Sequence, residues 1–273
     1  MRKIKRALIS VYKKDKLKPV LIELKKNNIE IISSGGTFKE IKRLGFKCKE
    51  VSDYTNYSEI LDGRVKTLNP KIHAGILNIR KNRKHQKQME NNDYKNIDLI
   101  IVNFYPFEKT LDETNSKKTI IENIDIGGPA MVRSAAKNFE DVCVITDITQ
   151  YEKLIVEIKK FKGRTSINFR EKLAGEAFTK TAYYDSKISD YFNKQLKNDF
   201  PSSKIISAKL TGKLRYGENP HQSGAIYSTS KNREFFQLSG KELSYNNYND
   251  VFSAINLSSR LPKNLGTVIV KHA

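Results

Sequence analysis

A group of cations lies in residues 61–77, in the segment LDGRVKTLNPKIHAGIL. The segment contains Arg64, Lys66, Lys71 and His73, and its apolar residues follow neither a helical nor a strand period. One interpretation is an exposed basic loop in a lysine-rich protein. The other is that the cations converge on an anion, and a phosphate is the anion that such a group suits best.

A second segment with phosphate-binding character is SSGGT, at residues 33–37. Gly35 and Gly36 allow backbone N–H groups to approach a ligand closely, and Thr37 can cap a following helix. The amino terminus of a helix favours anions. A Ser-Gly-rich turn is often only a turn, but its place between a strand and a helix favours the phosphate interpretation here.

Two further segments place polar side chains where a ligand would bind. In VNFYPF, Pro106 holds Tyr105 in an extended conformation, so that Asn103 and Tyr105 follow the strand directly. In NIDIGGPAMVRSAAKN, Asp125 precedes a Gly-Gly turn and a helix that carries Lys137 near its end. The alternatives are a tyrosine of the core and a carboxylate that only caps the helix.

These segments are positioned by an alternation of predicted strands and helices. Four apolar runs are typical of buried strands: IKRALISV, IEIISS, IDLIIVNFY and VCVITD. Helical spacing occurs in KLKPVLIELKKNN, TFKEIKRLG and GPAMVRSAAKNF. The alternation predicts an α/β fold, with a parallel sheet and helices on both faces. Ligands of such sheets bind outside the carboxyl ends of the strands, where Ser10 and Lys14 follow the first strand.

The organisation of the sequence changes near Pro201. Residues 151–196 predict a long helical region that is interrupted near Gly163. Beyond it lie short predicted strands and turn-rich stretches such as LRYGENPHQSG and ELSYNNYND. We therefore predict one domain over residues 1–200 and a second over residues 201–273.

The formal charge of +20 over 273 residues raises the possibility of a nucleic-acid-binding protein. The lysines are spread along the whole chain, however, and no zinc-finger spacing, RNA-binding signature or arginine-rich arm is present. A uniformly lysine-rich surface explains the charge better, and it would still attract small anionic substrates. We expect no specific nucleic-acid partner.

Other function classes lack support in the sequence. Cys48 and Cys143 make no disulfide framework and are expected to be buried thiols, and no His/Cys cluster has metal-ligand spacing, so no metal is expected. No apolar run approaches the length of a membrane span, and Lys5 and Arg6 interrupt the one stretch that resembles a signal peptide. We expect a cytoplasmic protein without a membrane partner.

The motifs ALISV, SSGGT, LDGRVKTLNPKIHAGIL, VNFYPF and NIDIGGPAMVRSAAKN together resemble a known enzyme family. In this order they are similar to the motifs of the amino-terminal inosine monophosphate (IMP) cyclohydrolase domain of bifunctional purine-biosynthesis enzymes. Those enzymes also carry 5-aminoimidazole-4-carboxamide ribonucleotide (AICAR) transformylase activity. The resemblance implies a methylglyoxal-synthase-like fold, purine-pathway nucleotides as substrates, and a homodimer.

The resemblance also implies the reaction and its residues. The domain closes formylated AICAR (FAICAR) to IMP with loss of water, without a cofactor. Four residues would surround the reacting groups: Lys66, Tyr105, Asp125 and Lys137. The substrate would be held by Ser10, Lys14, Ser34, Gly36, Thr37, Arg64, Thr67, Asn103, Gly127 and Gly128.

The chain departs from the family pattern at a few positions. The first strand is followed by Tyr12-Lys13-Lys14-Asp15 in place of Ser-Asp-Lys-Thr, and Asn69 stands where a histidine is usual. Ala74 stands where glycine is usual. The first two departures concern details of the phosphate pocket, whereas the reaction itself is expected to be unchanged.

Residues 201–273 resemble the start of the transformylase domain, which implies a fragment of a second α/β, cytidine-deaminase-like domain. Arg215 and Tyr216 match nucleotide-binding positions, and Lys271 and His272 match the catalytic pair in VIVKHA, which is predicted to be a core strand. In the full-length family this domain uses 10-formyltetrahydrofolate to formylate AICAR.

We expect this chain to cyclise FAICAR but to lack transformylase activity, since the motif that carries Lys271 and His272 breaks off at its end. Two alternatives remain open on the residues alone. One is a phosphate-binding lyase of the methylglyoxal-synthase type, which shares the fold. The other is a non-enzymatic nucleic-acid-binding protein, which rests on charge only.

Overall fold

The computed structural model describes residues 1–229, 235–262 and 265–271, and the chain divides into two units, Met1–Asp199 and Phe200–Ala273. The elements of the first unit follow in this order: β1 (Arg2–Lys3), β2 (Arg6–Val11), α1 (Leu17–Lys26), β3 (Glu30–Ser33), α2 (Gly35–Arg43), β4 (Lys49–Glu50), α3 (Val51–Thr55), a 3-10 turn (Leu61–Gly63), α4 (Pro70–Leu77), α5 (Arg83–Asn91), β5 (Leu99–Asn103), α6 (Phe107–Glu113), α7 (Lys117–Glu122), α8 (Gly127–Lys137), β6 (Cys143–Ile145), a second 3-10 turn (Ile148–Gln150), α9 (Tyr151–Lys160), β7 (Arg164–Thr165) and α10 (Ile167–Gln195).

A parallel sheet of five strands, in the order β4-β3-β2-β5-β6, forms the centre of this unit. In the central strand, Ala7, Leu8 and Ile9 are all fully buried. Because successive side chains of a strand point to opposite faces, both faces of the sheet are covered. All four predicted strands are present, and the parallel α/β fold is confirmed. The two-residue edge strand β4 was not predicted, since so short a strand leaves no pattern.

The helices pack in two groups. Helix α1 contacts α9, while α8 contacts α10, α4 and the strands β5 and β6. The predicted long helical region is confirmed as α9 and α10. Gly163 lies between them at φ +80°, and the chain there forms β7, which pairs antiparallel with β1. Helix α10 thereby runs back along the sheet and places Tyr184 and Tyr191 in the core.

Residues 61–77 contain a helix, α4, although their apolar residues follow no helical period. Pro70 occupies the first turn, and Oδ1 of Asn69 accepts a hydrogen bond of 2.8 Å from the Lys71 amide. Ile72 and Ile76 are fully buried on one face. The helix has eight residues, and so short a helix gives too few repeats to show a period.

The start of β5 and the end of α4 are joined through a partly buried arginine, Arg80. The guanidinium of Arg80 donates to the carbonyls of Asn78 at 2.5 Å, Ile97 at 2.8 Å and Gly75 at 3.2 Å. Burial lowers the pKa of Arg80, and the nearby Asp98 opposes that shift. The carboxyl-terminal end of α4 is therefore fixed to the sheet.

The second unit contains an antiparallel pair, β8 (Lys209–Lys213) and β9 (Ala225–Ser228), and a helix, α11 (Tyr245–Ser258). Residues 266–270 form no strand, and Ile269 is 91% exposed. The prediction that VIVKHA forms a core strand is therefore wrong for its described residues. An apolar run predicts a strand only where other strands or helices cover it.

Both cysteines are free, and burial raises the pKa of each thiol to about 12. Cys143 is buried in β6 as predicted, whereas Cys48 is only half-buried. Every helix among the described residues is too short or too polar to cross a bilayer. Across the same residues, His, Cys, Asp and Glu form no group of three that could hold a metal ion.

Candidate functional site

A cavity of about 770 Å³ lies at the carboxyl ends of β2, β3 and β5. The turns that follow these strands form one part of its wall, and residues 62–67 and 121–131 form the rest. It brings together thirteen of the predicted site residues: Ser10, Lys14, Ser34, Gly36, Thr37, Arg64, Lys66, Thr67, Asn103, Tyr105, Asp125, Gly127 and Gly128.

One corner of the cavity is suited to a phosphate. Helix α2 begins at Gly35, which has a φ of +53° that other residues rarely adopt. The Nζ atom of Lys66 lies 3.2 Å from the position that a Cβ on Gly35 would take, and Nζ of Lys14 lies 3.7 Å from that of Gly36. Two ammonium groups therefore lie over a helix amino terminus, where backbone N–H groups also favour an anion.

Thr37 joins this corner to the neighbouring strand. Its hydroxyl donates to the carbonyl of Val11 at 2.9 Å and accepts from the Val11 amide at 3.0 Å. The side chain is only 4% exposed. Its observed contacts fix the start of α2 against the end of β2, which holds the phosphate corner in place.

Asn103 holds the turn that carries Lys14. Its Oδ1 accepts from the amides of Tyr12 at 2.7 Å and Lys13 at 3.0 Å, and its Nδ2 donates to the Lys13 carbonyl at 3.0 Å. Nζ of Lys14 donates to the Tyr12 carbonyl at 3.2 Å. The unusual residues Tyr12 and Lys13 thus still direct Lys14 toward the cavity.

Tyr105 lies at the cavity and is 48% exposed, so the alternative of a core tyrosine is wrong. Its ring packs edge-to-face on Tyr12, with centroids 5.7 Å apart. Partial burial raises the pKa of Tyr105, and the carboxylate of Asp125 raises it further. The phenol therefore remains protonated at neutral pH and can donate a hydrogen bond.

Asp125 is held from both sides. Its Oδ1 accepts from the Gly128 amide at 2.8 Å, and its own amide donates to Oη of Tyr184 at 2.9 Å. Burial raises the pKa of Asp125, and the Gly128 hydrogen bond opposes part of that increase. A Cβ on Gly128 would lie 2.5 Å from Oδ2 of Asp125, so this approach requires glycine. Asp125 thus binds an amide of the helix start, as a cap would, and also lines the cavity.

Three residues around the site were not predicted from the sequence. Tyr184 supports Asp125 from α10, while Glu122 and Glu59 form ion pairs with Arg64 and Lys66. The hydrogen bond with Glu122 raises the pKa of Arg64 and, reciprocally, lowers that of Glu122. No motif marks these three residues, and two of the contacts join positions 58 or 59 residues apart.

Some predicted cations lie outside the cavity wall. Nζ of Lys71 lies over the ring of Tyr54, 5.3 Å from its centroid. Nδ1 of His73 lies 3.1 Å from Oγ of Ser134, and burial lowers the pKa of His73. The expectation that all cations of residues 61–77 converge on one anion is therefore wrong for Lys71 and His73, which belong to α4.

Lys137 is exposed in the last turn of α8 and does not line the cavity. Met131 is the last residue of this helix in the cavity wall, and Lys137 lies about 9 Å further along the helix axis. The structure therefore does not bring Lys137 together with Tyr105 and Asp125.

In the second unit, Arg215 and Tyr216 contact each other. The guanidinium of Arg215 donates to Oη of Tyr216 at 2.9 Å and lies 4.8 Å from its ring centroid. The hydrogen bond lowers the pKa of Tyr216. Lys271 is exposed, and His272 lies outside the described residues.

Comparison with protein families gives two matches along the chain. The model described as AICARFT/IMPCHase bienzyme matches residues 135–273, and the MGS-like domain matches residues 16–130. Together with the parallel sheet, the second match confirms the predicted methylglyoxal-synthase-like fold.

Curated relatives match over nearly the whole chain. It is 45% identical to "Bifunctional purine biosynthesis protein PurH" of Bradyrhizobium diazoefficiens, with 100% of this chain and 52% of that protein covered. The protein of the same name from Clostridium kluyveri is 45% identical, with 98% and 54% covered. That of Elusimicrobium minutum is 47% identical, with 92% and 49% covered. The chain thus spans about half the length of these relatives.

A solved structure, "Crystal structure of ForH", also resembles the chain. Its TM-score is 0.62 at 27% sequence identity, and the match covers 69% of this chain and 99% of that one. The match therefore extends over nearly the whole of that solved chain.

Proposed function

Because this chain belongs to the AICARFT/IMPCHase bienzyme family, we propose that its first unit is an IMP cyclohydrolase that closes FAICAR to IMP with loss of water. The observation that carries the proposal is the cavity. Its phosphate corner contains the ammonium groups of Lys14 and Lys66, and its wall also contains a hydrogen-bond donor, Tyr105, and a proton acceptor, Asp125. A ribonucleotide has a phosphate at one end and the reacting groups at the other, which matches this division.

In the proposed complex the phosphate binds at the amino terminus of α2. The amides beginning at Gly35 and the ammonium groups of Lys14 and Lys66 supply donors and positive charge there. Arg64 and Thr67 border the same space. Binding at this corner orients the rest of the nucleotide toward Tyr105 and Asp125 and so reduces the entropic cost of ring closure.

The proposed chemistry has two steps. The carboxamide nitrogen attacks the formyl carbon, and Tyr105 donates to the formyl oxygen as negative charge develops on it. Asp125 accepts the proton that the nitrogen loses. The hydroxyl of the cyclic intermediate then leaves as water with the proton that Asp125 accepted. The formamide nitrogen gives its hydrogen back to the phenol oxygen of Tyr105 as the ring C=N bond of IMP forms. We assign Lys66 to the phosphate corner, because its ammonium group lies at the start of α2.

We assign residues 1–200 to the cyclohydrolase domain and residues 201–273 to the start of the transformylase domain. In this assignment Arg215, Tyr216, Lys271 and His272 belong to the second activity, which formylates AICAR from 10-formyltetrahydrofolate in the full-length family. The cyclohydrolase reaction itself uses no cofactor. Its substrate is a soluble nucleotide, so we place the protein in the cytoplasm. From the family resemblance we also infer that it acts as a homodimer.

The two alternative functions receive less support. A lyase of the methylglyoxal-synthase type agrees with the fold but not with the bienzyme match over residues 135–273. A nucleic-acid-binding protein would need a binding surface, whereas the cations that converge here do so in a cavity of nucleotide size.

The direct test is to mix the folded protein with FAICAR and to follow the absorbance of IMP. The Asp125→Asn variant is the matched control, because it keeps the shape of the side chain and removes its base. We expect turnover by the natural chain and a large loss in the variant. Well-folded protein that forms no IMP would overturn the proposal.

A further inference from the structure

Both cations that residues 62–67 contribute to the cavity wall have carboxylate partners from within the chain. Arg64 pairs with Glu122 of α7, with Nε 3.2 Å from Oε1, and Lys66 pairs with Glu59. Two of the cations that an anion would use are therefore already engaged by internal carboxylates.

The turn between these pairs has an unfavourable backbone conformation. Leu61 and Asp62 both have a φ of 53°, and Gly63 has a φ of 88°. Only glycine adopts such values freely, so two of the three residues are strained. A bridge between Ile60 and Val65 closes the turn. Such a conformation persists only where surrounding contacts hold it. The pair of Glu59 with Lys66 joins the two sides of the turn, and the pair of Arg64 with Glu122 connects it to α7.

Lys66 shows how an exchange of partners would occur. Its ammonium group contacts Glu59 and also lies 3.2 Å from the position of a Cβ on Gly35, at the start of α2. The lysine stem is flexible, so a rotation of the side chain suffices to move the charge from the carboxylate to an anion at the helix amino terminus. Arg64 has the same freedom, since its side chain is 65% exposed.

We propose that Glu59 and Glu122 are internal counter-anions that compete with the ligand phosphate for Lys66 and Arg64, and so set its affinity. The inference rests on the proposed function, because it takes the ligand to be a nucleotide. Binding exchanges two carboxylates for one phosphate. The exchange is easy because exposed ion pairs contribute little stability, so the glutamates hold the turn without blocking the site.

The test is to measure dissociation constants for inorganic phosphate, IMP and inosine by calorimetry, with the natural chain and with Glu122→Gln, Glu59→Gln and the double variant. Each single change should tighten phosphate and IMP binding by about two- to fivefold, as expected for removal of an exposed pair. The double variant should tighten it further. Inosine, which has no phosphate, should bind equally to all four proteins.

Glu113→Gln is the matched control for charge. Glu113 forms a comparable exposed pair with Lys109 at 3.2 Å, and neither residue lines the cavity. This change raises the net charge of the protein by the same amount. It therefore measures how much the net charge alone alters the affinity for phosphate. A gain in affinity equal to that of Glu122→Gln would overturn the proposal.

A double-mutant cycle tests the pairing itself. In an Arg64→Gln background, Glu122→Gln should no longer alter the affinity for phosphate, because its partner is absent. Unchanged or weaker binding by Glu122→Gln in the natural background would overturn the proposal, and weaker binding would make Glu122 a direct ligand. If the natural chain binds neither phosphate nor IMP, the proposed function fails, and this inference fails with it.

Discussion

The Gly128 amide donates a 2.8 Å hydrogen bond to Oδ1 of Asp125, and the helix start thereby fixes an acidic group of the cavity wall that raises the pKa of Tyr105. The bond favours the ionised carboxylate, whereas burial favours the protonated acid and has the larger effect on its pKa. This balance makes Asp125 a stronger base than an exposed aspartate, as a proton acceptor in ring closure requires.

Asp125→Asn should lower turnover by about 10²-fold or more, while nucleotide binding changes much less. For the natural chain, the rate should fall as the pH falls through the pKa of Asp125, because the carboxyl must be ionised. The midpoint of that fall should lie above the ordinary value of 3.8, since burial raises this pKa. Rates measured against pH under saturating substrate test this, and equal losses in turnover and binding would make Asp125 a binding residue.

The same substitution should stabilise the fold at neutral pH. The pKa of Asp125 is higher in the folded chain than in the unfolded one, so folding is favoured below the unfolded value. That contribution is lost as the pH rises through the folded value. Asparagine carries no charge to bury, so Asp125→Asn should unfold at a higher temperature than the natural chain at pH 7, and at a similar one near pH 3. A lower midpoint at pH 7 would contradict the burial argument.

Arg64→Ala should raise the Michaelis constant by about tenfold with little change in turnover, because a charged contact to the phosphate is distant from the bond that forms. Arg43→Ala is the matched control, since Arg43 forms a similar exposed pair with Glu40 at the other end of α2. Steady-state kinetics with FAICAR give both constants. A fall in turnover with an unchanged Michaelis constant would place Arg64 at the reacting groups.

Lys137→Ala should lower turnover by about 10²-fold if the role implied by the family resemblance holds. Lys137 lies outside the cavity wall of its own chain. Steady-state kinetics with FAICAR decide between the role in the family and the position in the structure. Full activity of Lys137→Ala alone would remove this residue from the catalytic set.

Nucleic acids should bind weakly and without sequence preference, with dissociation constants on the order of 10⁻⁴–10⁻⁶ M that rise steeply with salt. The positive charge is spread along the chain, so it supplies attraction but no base readout. Fluorescence anisotropy with several labelled duplexes and single strands at two salt concentrations measures this. A tight complex that resists salt and prefers one sequence would favour the nucleic-acid alternative.

The parts that sequence predicts well are those that local patterns encode. Apolar runs predicted the strands, and the residues that follow them, such as Ser34 and Tyr105, predicted much of the cavity wall. The carboxyl ends of parallel strands share one edge of a sheet, so the sequence alone predicts that residues distant along the chain meet there.

The remaining contacts depend on packing between distant segments. Tyr184 reaches the Asp125 amide only because α10 folds back along the sheet, and Glu122 reaches Arg64 only because α7 lies beside the turn. Neither residue stands in a motif, and each is one of many tyrosines or glutamates that pattern alone cannot distinguish. For Lys137 the opposite holds: a motif selected the residue as a candidate, but the motif could not show that it lies outside the cavity wall.

The arrangement of the sheet has a consequence for how such a protein can change over evolutionary time. Most of the cavity wall comes from the connections between strands, while most of the buried apolar side chains lie in the strands and in the helices packed on them. A substitution in one connection can therefore alter ligand preference while the folded sheet survives. Most residues that can change ligand preference therefore differ from those that stabilise the fold, so a lineage built on this scaffold can acquire a new ligand through a series of intermediates that all fold.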